Sequence, residues 1–289
     1  MSNWFGMKDY YEKPREKYRE NPEAYWSMMA EKYGDVAILV PGDIKLKNEY
    51  YDSLHRRALR KVLGTIQNGA KVLDVGCGVG RWSIMLAKQG CDITGVDMSP
   101  QMLVLAKRNA AAENLKINFI ESPADSLDLP ENSFDVILSV TVLHHIIDDE
   151  KKRKTIENLM RILKPGGKLI LLEKTKIENI KEFHVTPLTV DGWKSIIPGS
   201  KITETHGVDV APFVSWVTAV GTAFVRRKPS EEFPGAKSVE ETTSALLRTL
   251  YSLASTVAIL LSRPVDYVLA DAPFFRNYTM HTLMVFEKL

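Results

Sequence analysis

The sequence predicts an α/β fold, a doubly wound, mostly parallel sheet of seven strands with helices on both faces. From residue 71 onward, short apolar runs alternate with amphipathic stretches, and strands that alternate with helices are typical of a parallel sheet. Of the 289 residues, 45% are hydrophobic and 26% are charged, which is the composition of an ordinary globular protein. We therefore expect one large core with additions.

The core elements are predicted from their hydrophobic periods and from the residues between them. Strands are expected near 71–76, 92–97, 117–122, 134–140 and 168–173, and helices near 81–89, 100–113 and 150–163. Pro165-Gly166-Gly167 indicates a turn before the fifth strand. Residues 201–209 and 279–287 are expected to add the sixth and seventh strands.

These elements divide the chain into four predicted segments. Residues 1–65 are expected to form an N-terminal helical cap or lid, in which Pro22 after Asn21 favours a helix start. Residues 66–209 form the α/β core, residues 210–278 a helical insertion that covers the substrate, and residues 279–289 a C-terminal strand that completes the core sheet.

The insertion contains two apolar runs, 211–225 and 245–261. Each is shorter than the roughly 20 residues that cross a bilayer, so we interpret them as helices packed on the sheet. A cover over an apolar substrate, or a peripheral contact with a membrane surface, is the alternative.

Charge and cysteine content limit the classes of partner and compartment. The formal net charge is +2, which is no electrostatic signature of a nucleic-acid-binding protein, so no nucleic acid is expected. Cys77 and Cys91 are the two cysteines and do not suggest a disulfide framework. Residues 1–18 lack the apolar region of a signal peptide, and we expect a cytoplasmic protein.

A glycine loop follows the first predicted strand. Gly76, Gly78 and Gly80 let the backbone turn sharply and let a ligand approach closely. Asp97 ends the next strand, where a carboxylate accepts hydrogen bonds from ribose hydroxyls. Arg81 stands where a dinucleotide-binding loop has its third glycine, so a nucleoside-containing cofactor other than a nicotinamide dinucleotide is indicated.

Residues 71–173 resemble the core of the class I S-adenosylmethionine-dependent methyltransferases, a Rossmann-like fold, and especially the group called methyltransferase type 11. The resemblance is carried by four motifs: Asp74 to Gly80, Asp97-Met98, Asp125 to Pro130 followed by Phe134-Asp135, and Leu163 to Gly167. It implies S-adenosylmethionine as the cofactor. The cofactor-binding residues that it implies are Asp74, Gly76, Gly78, Gly80, Asp97, Met98, Asp125, Ser126, Val140 and Tyr33.

Several of these residues have structural alternatives. Asp74 is equally suited to organising the loop through backbone N–H groups, and Asp125 to a turn. Tyr33 lies in an aromatic stretch that resembles a lid over the cofactor, but packing of an amphipathic helix explains it as well. Arg56 and Arg57 suit the methionine carboxylate, although a solvated helix face is favoured.

Catalysis of methyl transfer needs mainly an acceptor atom placed in line with the methyl group, because a sulfonium is a good leaving group. A base is required when the acceptor enters protonated. His144 and His145, after the fourth strand, are the catalytic candidates, with a structural histidine as the alternative. Asp148-Asp149 is interpreted as a helix cap rather than a metal pair, and no metal site is predicted.

The acceptor is the least determined part of the prediction. Residues 139–142 lack the Asn/Asp-Pro-Pro-aromatic motif of enzymes that methylate exocyclic nitrogens, and no Pro-Cys pair suits cytosine chemistry. We therefore expect methyl transfer to oxygen or nitrogen of a small or lipid-linked metabolite. Leu143-His144-His145 resembles quinone-biosynthesis methyltransferases, which leaves C-methylation of a polyprenyl quinone precursor as an alternative. A non-catalytic cofactor-binding regulatory module is the alternative of another class.

Overall fold

A computed structural model describes residues 21–36, 45–175, 185–209 and 279–289, together with scattered positions between 253 and 270. The strands are β1 (Lys71–Val75), β2 (Asp92–Asp97), β3 (Asn118–Glu121), β4 (Phe134–Val140), β5 (Leu163–Lys174), β6 (Ser200–Gly207) and β7 (His281–Lys288). The main helices are α1 (Pro22–Tyr33), α2 (Lys45–Leu63), α3 (Arg81–Lys88), α4 (Pro100–Ala112), α5 (Asp149–Ile162) and α6 (Val190–Ile196). Most of the predicted insertion, including its run 211–225, lies outside the described residues.

The seven strands form one sheet in the order β3-β2-β1-β4-β5-β7-β6. Strands β1 to β5 pair in parallel, whereas β7 runs antiparallel to both β5 and β6. The carboxyl ends of β1 to β5 therefore meet the start of β7 and the end of β6 at one edge. The predicted doubly wound, mostly parallel sheet is confirmed, and this edge is where such sheets bind ligands.

Two details differ from the sequence prediction. Strand β5 begins at Leu163 rather than near 168, and it contains the predicted Pro165-Gly166-Gly167 turn. Gly166 has a φ of +73°, and the pairing of β4 with β5 shifts register between Phe134 and Val136, so the backbone still turns locally. Helix α6 was not predicted, because its seven residues are too short for a clear helical period.

The core lies in two apolar layers, one on each face of the sheet. Alternate residues of β5 supply both layers, because side chains along a strand point to opposite faces. Ile170 and Leu172 pack with α2 and α3, while Leu169 and Leu171 pack with α5 and α6. Trp193 of α6 is fully buried in the second layer.

Helix α1 packs beside the carboxyl edge of β1. The Asn21 side chain accepts from the Ala24 N–H at 3.0 Å, and Pro22 begins the helix as the sequence predicts. Ala30 is buried against Val79 of the glycine loop and Met102 of α4. The N-terminal segment, where described, is thus a helical cover at the candidate site.

No helix among the described residues is long and apolar enough to cross a membrane.

Candidate active site

The glycine loop connects β1 to α3 with three residues in the left-handed region. Gly76, Gly78 and Gly80 have φ values of +66°, +54° and +82°, which side chains with a Cβ rarely adopt. A Cβ on Gly76 would lie 2.4 Å from Cγ2 of Val142. The loop after β4 therefore sits directly against the glycine loop, and glycine is required at position 76 for both reasons.

Asp97 ends β2 beside this loop. Its Oδ2 accepts from the Gly78 N–H and its Oδ1 from the Ser99 N–H, both at 2.9 Å. The residue is 9% exposed, and burial raises the pKa of its carboxyl while these N–H groups oppose the rise. The carboxylate thus fixes the loop and has remaining lone pairs for ligand hydroxyls.

Asp74 has a different role from that of Asp97. It is 1% exposed, and its Oδ2 accepts a 2.6 Å hydrogen bond from the Ser83 hydroxyl in α3. Burial raises the pKa of the Asp74 carboxyl to about 6. This geometry favours the alternative in which Asp74 organises the loop and helix from inside the fold.

The remaining predicted adenosine contacts are spread along the carboxyl edge. Met98 is half-buried after β2, and Val140 is buried at the end of β4. Asp125 and Ser126 lie in a short 3-10 turn after β3, where the Ser126 hydroxyl bonds the Asp125 carboxylate at 3.1 Å. All four lie at or after strand ends at this edge, and their contacts with the adenosine stay predictions.

Helix α1 presents aromatic side chains to the same edge. The ring of Trp26 meets His145 edge-on, with centroids 5.3 Å apart, and Tyr25 meets Trp26 at the same spacing. The hydroxyl of Ser27 bonds that of Ser99 at 3.0 Å. Tyr33 is half-buried and packs beside the Ala30 cluster, so its predicted cofactor contact is untested.

Glu173, at the end of β5, organises the turn after β4. Its Oε1 accepts from the Ser139 hydroxyl and from the N–H groups of Val142 and Leu143 at 3.1 to 3.3 Å. Its Oε2 accepts from the His144 N–H at 3.2 Å and lies 2.5 Å from Nδ1 of that ring. Glu173 is not among the residues predicted from the sequence, although its position at a strand end is a usable signal.

The turn that carries His144 is strained at its first residue. Thr141 has a φ of +57°, an outlier for a β-branched residue, and its N–H donates to the Leu172 carbonyl at 2.7 Å. Such strain persists only where surrounding contacts impose it, and it clusters at functional sites. His144 is 4% exposed, and its ring lies 4.3 Å, centroid to centroid, from that of the half-buried His145.

A buried lysine fastens a further segment to this turn. Lys152 of α5 is 2% exposed, and its Nζ donates to the Thr186 carbonyl at 2.8 Å. The Thr186 N–H in turn donates to the His144 carbonyl at 2.7 Å, and its hydroxyl donates to the Ile146 carbonyl at 2.9 Å. The turn at residues 141–146, the histidine turn, is therefore fixed by hydrogen bonds from β5 and from the segment before α6, which α5 holds in place.

Arginines surround the start of α3. Arg81, directly after the glycine loop, pairs with Asp52 and lies 4.4 Å above the Trp82 ring. Its buried Nε has no hydrogen-bond partner within the described ranges. Arg56 pairs with Asp52 on the outer face of α2, and Arg57 donates to the Asp266 carbonyl at 3.0 Å. Their pairing with a methionine carboxylate stays a prediction.

Asp148 caps α5, as the sequence predicts. Its Oδ1 accepts from the Glu150 and Lys151 N–H groups at 2.9 Å each. Cys77 is buried, and burial holds the pKa of its thiol well above the usual value, which disfavours the reactive thiolate.

Comparison with known families identifies the core. Residues 72–167 match the sequence model of the family described as "Methyltransferase domain". Residues 72–167 are thus similar to the core domain of the class I S-adenosylmethionine-dependent methyltransferases. The resemblance stated from the sequence is thereby confirmed, and the matched range of the methyltransferase domain includes the glycine loop, Asp97 and the histidine turn.

Relatives of the methyltransferase domain carry quinone names. The chain is 31% identical over 153 residues to a ubiquinone biosynthesis O-methyltransferase of Coxiella burnetii, covering 53% of this chain and 63% of that protein. It is 34% identical over 105 residues to a demethylmenaquinone methyltransferase of Thermus thermophilus, covering 36% of this chain and 46% of that protein. The chain thus spans about half to three fifths of the length of these relatives.

A solved structure shows the same fold across nearly the whole chain. A putative sarcosine dimethylglycine methyltransferase from Galdieria sulphuraria superposes with a TM-score of 0.57 at 17% identity, covering 92% of this chain and 97% of that protein. At this sequence identity the likeness shows that the two chains share a fold, and it says nothing about the methyl acceptor.

Proposed function

We propose that this protein is an S-adenosylmethionine-dependent methyltransferase that transfers the methyl group to oxygen or nitrogen of a small or lipid-linked metabolite. The observation that carries the proposal is the pairing of a buried His144 with Glu173 on a turn that packs against the glycine loop. A proton acceptor and a cofactor loop in contact are the two parts that such a transfer needs.

The residues at the carboxyl edge fit S-adenosylmethionine. The cofactor supplies an electrophilic methyl group on a sulfonium. The glycine loop lets the chain approach the methionine moiety, and Asp97 accepts from the ribose hydroxyls. The buried Nε of Arg81, without a partner in the described part of the chain, suits a carboxylate at this position.

His144 is the proposed proton acceptor, with Glu173 as its orienting partner. A carboxylate 2.5 Å from Nδ1 favours the tautomer with the proton on Nδ1, so that the basic lone pair is on Nε2. The protonated ring formed on accepting the acceptor's proton is then stabilised by the same carboxylate. His145, between His144 and Trp26, is proposed to orient the acceptor.

A quinone precursor is the second candidate acceptor. The names of two relatives concern ubiquinone and demethylmenaquinone. These names support either O-methylation or C-methylation of a polyprenyl quinone precursor. The cytoplasmic location and the peripheral membrane contact expected from the sequence remain predictions.

Labelled S-adenosylmethionine incubated with the protein and cell extract tests the proposal. The extract is separated into aqueous metabolites, lipids, protein and nucleic acid, and we expect label in the first or second fraction. Asp97→Ala is expected to abolish the label, while Asp128→Ala, at an exposed position after the 3-10 turn, is the matched control. Label in protein or nucleic acid would contradict the proposed acceptor class.

The non-catalytic alternative gives a different result in the same experiment. A regulatory module would bind S-adenosylmethionine, measured by calorimetry, and would transfer no label to any fraction. Loss of binding in Asp97→Ala without any product from the native protein would therefore favour the regulatory module over the enzyme.

A further inference from the structure

His55 of α2 is a buried histidine whose ring is unpaired among the described residues. It is 7% exposed, and neither ring nitrogen has a hydrogen-bond partner in the part of the chain that the structure describes. Its ring meets that of His281 edge-on, with centroids 5.5 Å apart. Buried polar groups are almost always paired, so two unpaired nitrogens on one buried ring need an explanation.

The surroundings of His55 belong to the carboxyl edge. His281 begins β7, and its Nδ1 lies 2.9 Å from Oδ2 of Asp209, the residue that follows β6 by two positions. His281 is also the pairing partner of Lys174, next to Glu173. The edge therefore has two halves: a cofactor half at β1, β2 and β3, and a polar half at β4, β5, β7 and β6 that His55 covers.

Helix α2 is held in place over this polar half. The hydroxyl of Tyr50 donates to the Asp266 carboxylate, and Arg57 Nη1 donates to the carbonyl of the same residue at 3.0 Å. Leu54 and Leu59, on either side of His55, are 1% and 0% exposed. The position of the His55 ring is thus fixed by packing, so turning it outward to reach water would break these contacts.

The protonation state of His55 determines what it can bind. Burial lowers the pKa of the ring well below its usual value, and the nearby His281, Arg81 and His144 lower it further. The ring is therefore neutral near pH 7, and it offers one N–H donor and one lone-pair acceptor. A hydroxyl group can accept from the N–H or donate to the lone pair, so it is complementary to either ring nitrogen, whereas a hydrocarbon is complementary to neither.

We propose that His55 is an acceptor-binding residue that hydrogen-bonds a hydroxyl group of the methyl acceptor, which makes the acceptor a hydroxyl compound. The inference rests on the proposed methyl transfer, because the acceptor is defined by that reaction. It narrows the acceptor class from any small or lipid-linked metabolite to one that carries a hydroxyl group on the side of β7.

The first test uses His55→Phe, which fills a similar volume without polar atoms. If His55 binds the acceptor, His55→Phe is expected to have a higher melting temperature, because two unpaired buried nitrogens are removed. The same variant is expected to lose about 10- to 100-fold in kcat/KM for the labelled product. S-adenosylmethionine affinity is expected to stay within about twofold. His206→Phe, on edge strand β6, is the matched control and is expected to keep full activity.

A lower melting temperature with unchanged kcat/KM in His55→Phe would overturn the proposal, because it would show a purely structural histidine.

The second test does not depend on turnover. The protein, labelled with ¹⁵N-histidine and saturated with S-adenosylhomocysteine, is titrated with phenol and separately with toluene, which has the same shape without the hydroxyl. Phenol is expected to shift the ring resonances that disappear in His55→Phe, and toluene is expected to leave them in place. No shift, or equal shifts with both probes, overturns the hydroxyl site.

The two tests separate this inference from the proposed function. A phenol shift at His55 without any labelled product from the native protein would overturn methyl transfer and leave the hydroxyl site standing. Labelled product without a phenol shift would overturn the hydroxyl site alone.

Discussion

The Nδ1 atom of His144 lies 2.5 Å from Oε2 of Glu173, and both side chains are almost completely buried. Burial raises the pKa of the Glu173 carboxyl, while the N–H groups of Leu143, His144 and Val142 oppose the rise. One carboxylate therefore does two things at once: it holds the backbone of the histidine turn and fixes the orientation of the ring.

Replacing Glu173 with Gln separates these two tasks. Gln keeps an oxygen acceptor of similar shape for the turn but loses the negative charge that favours a proton on Nδ1 of His144. We expect kcat to fall by about 10²- to 10⁴-fold, the usual contribution of general acid–base catalysis, with S-adenosylmethionine affinity within about threefold. Radiolabel transfer and calorimetry measure the two quantities.

Glu131→Gln, at an exposed position before β4, is the matched control, because it makes the same chemical exchange away from the histidine turn. A loss of kcat in Glu173→Gln no larger than in this control would contradict the assignment of His144 as the base. Loss of cofactor binding in Glu173→Gln would instead indicate that the carboxylate mainly shapes the glycine loop through Val142.

The contact between Gly76 and Val142 predicts a second result. Gly76→Ala adds a Cβ that would lie 2.4 Å from Cγ2 of Val142, at a φ of +66°. Gly69→Ala imposes the same kind of strain at a φ of +80° with nothing within 4 Å. We expect urea denaturation to give a loss of about 1 kcal/mol for Gly69→Ala and about 3 kcal/mol or more for Gly76→Ala.

The double variant Gly76→Ala/Val142→Ala is expected to recover part of that loss and part of the cofactor affinity, because it removes the clashing methyl groups. Equal losses in Gly69→Ala and Gly76→Ala would show that backbone strain alone matters at the loop.

The parts of the site that follow local sequence patterns were predictable. Gly76, Gly78 and Gly80 are required by backbone conformations that are set within the loop, and Asp97 follows from the end of an apolar strand. Apolar strand runs are also local patterns, so six of the seven strands begin and end within about two residues of their predicted bounds. The early start of β5 was missed because its first residues look like a turn and pair with β4 through a register shift.

The parts that depend on distant chain segments were not predictable. Glu173 and His144 are separated by 29 positions, and His55 and His281 come from α2 and β7. Nothing local distinguishes Glu173 from any other glutamate at a strand end, because its role arises only where β4 and β5 are adjacent in the sheet. The same holds for Val142, whose contact with Gly76 crosses from β4 to β1.

Asp74 predicts a pH dependence of stability. Burial raises the pKa of its carboxyl from 3.8 to about 6, so the folded state binds this proton more tightly than the unfolded state. Between about pH 4 and pH 6 the folded protein thus carries more protons, and its stability falls as pH rises through this window. Asp74→Asn has no titrating group and still accepts from the Ser83 hydroxyl.

We expect the free energy of unfolding of Asp74→Asn, relative to the native protein, to increase by about 2 to 3 kcal/mol from pH 4 to pH 7. Urea denaturation across this range measures it, with Asp92→Asn at the exposed start of β2 as the control. A constant difference between the variant and the native protein would show that Asp74 titrates normally in the fold.

His55 predicts a contribution to stability whose pH dependence is opposite to that of Asp74. Burial and the neighbouring His281, Arg81 and His144 lower the pKa of the ring well below 6.5, so the unfolded state binds a proton that the folded state does not. The contribution of His55 to the free energy of unfolding is therefore expected to be constant above about pH 6.5 and to become less favourable by about 1.4 kcal/mol per pH unit as pH falls below that value. His55→Phe lacks this dependence, and its gain in stability over the native protein should grow as pH falls from 6.5. Urea denaturation of both proteins measures the gain.

His206→Phe, at a half-buried ring paired with Glu204, is the control for the general effect of removing a histidine. A gain for His55→Phe that stays constant with pH would mean that the ring takes up its proton equally well in the folded and unfolded states, which would contradict a ring that is shielded from water.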